Sequence, residues 1–379
     1  MGSCAAKTFS HGVKSAKSQK QVAERDPRGS SVNKAEMAAK EGSPTPGAAA
    51  CTKRSPESTM VLDLFPNACS RVSVCGASSD LQQKGFEEKA MQMAGTPDGN
   101  LSNLRVGYVC KKGLKPESPN QDDFCVLHVD STSIYGVFDG HGPYGHDVSG
   151  FAREALPVSL VQDAAYASDL VKALSAAFPA THKLCAEMQT QGHFDCSLSG
   201  TTATLVVHQD QVLYVAHVGD SRLVLARRQD GKLVGEELTV DHKPSDEVER
   251  LRIQAAGGQV KRLDGDIPYR VFVSGKMYPG LAMTRSIGDT VSTAAGITCE
   301  PEVKKLEVQS DWRFLVLCSD GVWEFISSQE AVDIVARFPP AEAQKAAETL
   351  AKEAWDRWIK EEEDIVDDIT VVCAWIHDD

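Results

Sequence analysis

Residues 133–142 read Ser133-Ile134-Tyr135-Gly136-Val137-Phe138-Asp139-Gly140-His141-Gly142. An apolar, β-rich run at 134–138 meets Asp-Gly-His-Gly without a spacer. A strand ending this way presents a carboxylate, a flexible backbone carbonyl and an imidazole from its tip. Those are the ingredients of a hard-cation site with an acid or base beside it. Asp-Gly is also a strong turn signal, so the stretch by itself reads first as a hairpin turn. What the rest of the chain supplies to Asp139 decides between the two.

The chain has 379 residues, 42% hydrophobic and 25% charged, enough for one large folded body or two ordinary ones. Its net charge of -13 argues against nucleic acid as the main partner. The charge is uneven: residues 1–60 hold ten Lys/Arg against five Asp/Glu, so that segment is +5 and the remainder -18. Eleven cysteines are scattered without a C-x-x-C pair, and none has Arg six residues on, which excludes a cysteine-phosphatase motif. Reduced thiols and a cytoplasmic or nuclear setting are expected. No apolar run is long enough to cross a membrane, and no secretory signal follows the N-terminus.

The first residues, M-G-S-C-A-A, make Gly2 and Cys4 candidate lipidation sites, although Ala6 replaces the usual Ser or Thr. Lys7, Lys14, Lys17 and Lys20 could add a basic second signal for peripheral membrane association. Residues 10–60, rich in Ser, Ala and Lys without a period, read as disordered. Residues 61–100 carry two short apolar patches that either pack on the body or meet a partner. The expected division is a tail, 1–100, and a folded domain, 101–379.

Within the domain, strands are expected at 105–110, 124–128 and 134–138, then helices at 148–162 and 168–191. A meander of three strands follows at 203–208, 212–218 and 222–228, joined by the turns 210–211 and 219–221. Pro244 suits the first turn of a helix that Gly257-Gly258 stops. Residues 259–280 read as short strands and loops, with enough Gly and Pro for a mobile flap. A buried-type strand at 312–318 ends in Ser319-Asp320-Gly321, repeating the device of the opening stretch. Ser328 is placed to cap a helix, a longer amphipathic helix spans 340–363, and a last strand runs 369–376.

Asp122, Asp139, Asp220, Asp289, Asp320 and Asp367 all fall at strand ends or tight turns. One such Asp is turn chemistry. Six in one sheet-rich body point to a carboxylate-lined cation site, for which Mg²⁺ or Mn²⁺ fits better than zinc. The blocks F-D-G-H-G at 138–142, S-G-T-T-A at 199–203, G-D-S-R at 219–222 and D-H-K-P at 241–244 come in that order. T-R-S-I-G-D at 284–289, S-D-G-V-W at 319–323 and D-D-I-T at 367–370 follow. Together the seven resemble the metal-dependent type 2C protein serine/threonine phosphatases, the PPM family.

The resemblance implies an α+β fold: a four-layer α-β-β-α sandwich of two antiparallel sheets, with the metal site between the sheets at one end. It implies hydrolysis of phosphoserine and phosphothreonine on proteins by a metal-activated hydroxide, without a covalent intermediate. Two Mg²⁺ or Mn²⁺ ions are implied, with a third, weaker one. Asp139 corresponds to the bridging ligand and Gly140 to a carbonyl ligand; Asp289, Asp320 and Asp367 correspond to ligands of the second ion. Asp220 with Asp289 corresponds to the third-ion pair, Asp122 to an acid orienting water, and His141 to the general acid.

The chain also departs from the family. Gln121 stands where Glu is common, and Asp368 where Asn is frequent. Glu117 occupies the position of the arginine that binds substrate phosphate, leaving Lys112 or Lys115 to replace it as a point charge. The alternative function is a pseudophosphatase, a scaffold on the same fold. The expected partners are phosphorylated proteins, and the expected state is monomeric.

Overall fold

The computed structural model describes residues 61–77, 80–95, 104–116, 118–263 and 268–377. All of them lie in one compact unit, Ser55–Asp379. The candidate lipidation sites and most of the expected disordered tail lie outside the described residues.

The strands in chain order are β1 (Arg71–Gly76), β2 (Met91–Gly95), β3 (Val106–Lys111), β4 (Asp122–Val129), β5 (Thr132–His141) and β6 (Gly200–Thr201). Next come β7 (Ala203–Gln209), β8 (Val212–Val218), β9 (Arg222–Gln229), β10 (Lys232–Glu237), β11 (Gly258–Arg262) and β12 (Tyr269–Val273). The last are β13 (Pro279–Leu281), β14 (Ile287–Gly288), β15 (Glu302–Glu307), β16 (Trp312–Cys318) and β17 (Ile369–Trp375). The helices are α1 (Gly145–Gln162), α2 (Leu170–Thr190), α3 (Glu247–Ala255), α4 (Asp320–Trp323), α5 (Ser328–Val335) and α6 (Ala343–Glu362).

A nine-stranded sheet runs β15-β8-β7-β5-β4-β1-β2, with β6 and β14 paired beside the end of β5; a five-stranded sheet runs β10-β9-β16-β17-β3. All named pairs are antiparallel. Side chains alternate across each strand, so each sheet has two apolar faces to cover. Phe124, Val126, Tyr135 and Val137 meet Leu225, Leu315, Leu317 and Val372 between the sheets. The outer face of the large sheet packs Leu127, Ile134 and Phe138 against Leu156, Leu160 and Phe178 of α1 and α2. The outer face of the smaller sheet packs Val316 and Val371 against Val332, Ala347 and Leu350 of α5 and α6. This is the expected α-β-β-α sandwich.

The same alternation positions the site. Val137 faces the second sheet, so Asp139 does too; Phe124 does, so Asp122 does; Leu317 does, so Ser319 does; Val372 does, so Thr370 does.

Four expectations change and a fifth is made specific. Residues 61–76 and 91–95 belong to the folded unit, because β1 pairs with β4 over Arg71↔Val129 to Cys75↔Cys125 and β2 extends that edge. The segment therefore packs on the body, well before residue 101. The meander breaks at 219–221: β7 and β8 lie in one sheet and β9 in the other, so this turn carries the chain across the sandwich. Ser327, not Ser328, caps α5, because its hydroxyl accepts the Glu330 N–H while Glu330 accepts the Ser327 N–H. Helix α3 begins at Glu247 with Asp246 as its cap, beyond Pro244. The short strands expected within 259–280 are present as the three-stranded sheet β11-β12-β13, packed through Val271 on Ile253, Ala295 and Ile297.

Candidate active site

Asp122 and Asp139 are direct partners across the β4–β5 hairpin. The neighbouring pair Gln121/Gly140 is the hydrogen-bonded one, through Gly140 N–H to Gln121 O at 3.1 Å. Asp122/Asp139 is therefore a non-hydrogen-bonded pair, the kind whose side chains lie closest. Strand β5 does not stop at Phe138; it runs to His141, because Gly140 and His141 pair with Thr201 and Gly200. A Cβ at Gly140 would sit 2.2 Å from Gly145 O, so only glycine lets the α1 N-terminus approach the strand tip this closely.

Burial and the carboxylates of Asp122, Asp320, Asp367 and Asp220 hold the Asp139 carboxyl well above the usual range. Asp320, which opens α4 rather than a simple turn, is pushed up likewise by burial, Asp367 and Asp220. Asp122 is buried behind this pair. Its Oδ2 accepts from Ser319 Oγ and Thr370 Oγ1, each at 2.7 Å. Burial and Asp368 push its carboxyl up to about 7, against those two hydroxyls.

Asp289 is buried and holds a left-handed φ of 49°. Its Oδ2 accepts from Ser286 Oγ and meets His141 Nε2, each at 2.6 Å. Burial alone would lower the His141 pKa, but the Asp289 charge and hydrogen bond outweigh it and raise it. Asp220 is buried near Lys243 Nζ, 3.6 Å from its Oδ2. Burial pushes the Asp220 carboxyl up despite the attraction of Lys243.

The structure thus brings Asp122, Asp139, His141, Asp220, Asp289, Asp320 and Asp367 to one end of the sandwich, between the sheets. Asp220 Oδ1, Asp289 Oδ1 and His141 Nδ1 are buried without a hydrogen-bond partner. Unpaired buried carboxylate oxygens among carboxyls of raised pKa fit a site that takes hard cations on oxygen.

The departures find roles. Gln121 does not face the carboxylates: its Nε2 donates to Gly142 O at 2.7 Å. Asp368 is buried and braces the backbone, accepting from Gly113 N at 2.7 Å and Gln121 N at 2.8 Å. Glu117 lies outside the described residues.

Sequence reasoning missed Lys89, whose buried ammonium donates to Asp122 O at 2.5 Å and Asp123 Oδ2 at 3.1 Å. Arg153 of α1 reaches Asp123 from the other side, 3.4 Å from Nε to Oδ2. Nothing in the pattern around residue 89 announces this. Lys243 was legible only as part of the D-H-K-P block.

A second cluster, His217, His242 and Glu302, also gathers ligand atoms. Its two rings stack with centroids 4.4 Å apart and planes 7° apart, so their in-plane lone pairs run parallel and do not converge on one ion. His242 Nδ1 accepts Gly219 N–H at 3.1 Å, and the backbone N–H of His242 donates to Gly219 O at 2.9 Å. The residue ties the 241–244 loop to the turn bearing Asp220.

A family model described as protein phosphatase 2C matches residues 111–362, which include every quoted block except D-D-I-T. The chain belongs to the protein phosphatase 2C family. Membership makes it a metal-dependent protein serine/threonine phosphatase, as the motifs implied. Among its relatives is probable protein phosphatase 2C 35 of Arabidopsis thaliana, 33% identical over 77% of this chain and 89% of that one. Probable protein phosphatase 2C 34 of the same plant is 39% identical over 77% of this chain and 86% of that one. Among solved structures, serine-threonine phosphatase 2C from Toxoplasma gondii superposes with a TM-score of 0.64 at 22% identity, covering 72% of this chain and 94% of that one. A sex-determining protein of C. elegans gives 0.59 at 22% identity, over 72% of this chain and 65% of that one. Those two likenesses speak to the fold.

Proposed function

We propose that this protein phosphatase 2C removes phosphate from phosphoserine and phosphothreonine of proteins with Mg²⁺ or Mn²⁺ at two positions, a third weaker ion beside them, and no phosphoenzyme. The carrying observation is the convergence of Asp139, Asp220, Asp289, Asp320 and Asp367 at one end of the sandwich, with two of their oxygens buried and unpaired. When bound, the cations supply Lewis acidity that makes water nucleophilic at neutral pH and neutralises charge on the phosphoryl oxygens.

The protein's own residues do the remainder. Asp139, at the open end of the β4–β5 hairpin with the Gly140 carbonyl beside it, would hold both cations, and Asp320, Asp367 and Asp289 would complete the second position. Asp220 and Asp289 would hold the third. Asp122, caged by Ser319 and Thr370, braces Asp139 from behind and can carry a proton near neutrality. His141 is held through Nε2 by Asp289 Oδ2, which leaves Nδ1 unpartnered, and in the doubly protonated ring the Nδ1 proton would pass to the seryl or threonyl oxygen as it leaves. No residue loss favours the scaffold alternative, since all these carboxylates are present.

Phosphate release from a phosphothreonine peptide should require Mn²⁺ or Mg²⁺ and vanish with EDTA. Turnover indifferent to the chelator would overturn the reading. A monomeric, cytoplasmic enzyme acylated at Gly2 is the accompanying proposal for the tail, tested by intact mass with a Gly2→Ala control.

A further inference from the structure

Glu117 leaves the family's phosphate grip without its arginine, and two nearby lysines could replace it. The structure separates them. Lys112 is buried, and its Nζ donates to the carbonyls of Lys115 at 2.8 Å and Ser118 at 2.5 Å. It is occupied in shaping the backbone on either side of position 117. Gly113 N–H donates to Asp368 Oδ1 at 2.7 Å, and Leu114 N–H to Val366 O at 2.8 Å. These bonds tie the chain just before Lys115 to the segment carrying Asp367 and Asp368.

Lys115 therefore starts its reach at the rim of the carboxylate cluster. Its side chain is 30% exposed, and its Nζ rests on Asp367 Oδ1. That oxygen also accepts Asp368 N–H at 2.7 Å, which leaves Oδ2 of Asp367 for a cation. The bridging-ligand candidate Asp139 attracts Lys115 as well. Lys243, the other lysine at the cluster, sits instead 3.6 Å from Asp220 and 3.9 Å from Asp241.

Building on the phosphatase reading above, we propose that Lys115 Nζ grips a non-bridging oxygen of the substrate phosphate and of the orthophosphate product. An ammonium has three donors; one lies on Asp367 Oδ1, and two remain for the ligand. It cannot offer the parallel pair of N–H groups that a guanidinium does, so the grip is a point charge with little preference for orientation. The same charge stands beside carboxylates that take cations and works against cation binding. Lys115 thus favours phosphate and disfavours metal.

Those opposite effects define the experiment. Mn²⁺ binding, and orthophosphate binding to the Mn²⁺-loaded protein, are measured by calorimetry on the full chain for wild type, Lys115→Met, Lys115→Arg and Lys243→Met. Lys115→Met should weaken orthophosphate about tenfold, the scale of one charge-assisted hydrogen bond, and bind Mn²⁺ more tightly. KM for a phosphothreonine peptide should rise with little change in kcat, and Lys115→Arg should recover phosphate binding. Unchanged orthophosphate affinity in Lys115→Met, or a larger loss in Lys243→Met, would overturn the assignment. A wild type that binds Mn²⁺ and orthophosphate but turns over no phosphopeptide would instead defeat the phosphatase reading and leave the binding comparison decisive for Lys115.

Discussion

His141 Nε2 lies 2.6 Å from Asp289 Oδ2, joining the tip of β5 to a residue 148 positions later. The acceptor holds a left-handed backbone conformation that puts its carboxylate under the imidazole, and Ser286 Oγ fixes that carboxylate from the other side. On the proposed assignment one Asp would serve both the proton donor and, by its unpaired Oδ1, the cation site. His141→Ala should slow hydrolysis of phosphothreonine peptides about 10²-fold or more, while an activated aryl phosphate, whose leaving group needs no proton, slows far less. Equal slowing of the two substrates in steady-state assays would remove His141 from the donor role.

Gly200 is the lid on this contact. A Cβ there would come 2.2 Å from Asp289 Oδ2 and 2.8 Å from His141 Nε2. Gly200→Ala should therefore separate the pair and reproduce the leaving-group selectivity of His141→Ala in a protein whose far-UV circular dichroism is unchanged. The glycine of the S-G-T-T block is there for space.

The crowding of carboxylates around Asp139 carries a cost that cations bound there would offset. Asp139→Asn should abolish Mn²⁺-dependent turnover, with a loss of at least roughly 10²-fold, yet raise stability in EDTA by on the order of 1 kcal/mol by relieving like-charge repulsion. Urea denaturation with and without Mn²⁺ reads both effects: the variant should also lose most of the stabilisation that Mn²⁺ gives the wild type.

Lys89 is buried with Asp123 and Arg153 directly behind Asp122. Lys89→Met should cost about 3 kcal/mol in urea denaturation, because it strands the Asp122 carbonyl and half of the charge compensation of Asp123. Removing residues 61–95 altogether should be worse, since it also strips β1 from β4.

His242 titrates far below the ordinary range, its pKa lowered to about 2 by burial, His217 and Arg285. The unfolded chain protonates this histidine near pH 6.5 and the folded one does not, so its contribution to stability is full above that pH. It is lost progressively as pH falls below it, at up to about 1.4 kcal/mol per pH unit. Denaturation midpoints between pH 7 and 5 should fall less steeply in His242→Asn than in wild type.

Apolar alternation locates most of the strands, and the Asp-Gly and Gly-Asp punctuation locates the carboxylate tips, since both are consequences of local backbone geometry. The seven blocks, in order, indicate the family and with it the sandwich. Residues 219–221 show where local reading ends: a three-residue turn looks the same whether it closes a hairpin or crosses between sheets, and only the packing of β9 on β16 distinguishes them.

The order of amino acids is enough to say that Asp139 ends a strand and that other carboxylates sit at element tips, because period and turn chemistry are written within a few residues. It does not say which of those carboxylates meet. That Asp289 lies under His141, that Lys89 stands behind Asp122, and that Lys115 rather than Lys112 reaches the cluster are outcomes of long-range packing. Each of those contacts spans dozens to hundreds of residues and is set by which face of which strand the sandwich buries. No short stretch of sequence carries that information.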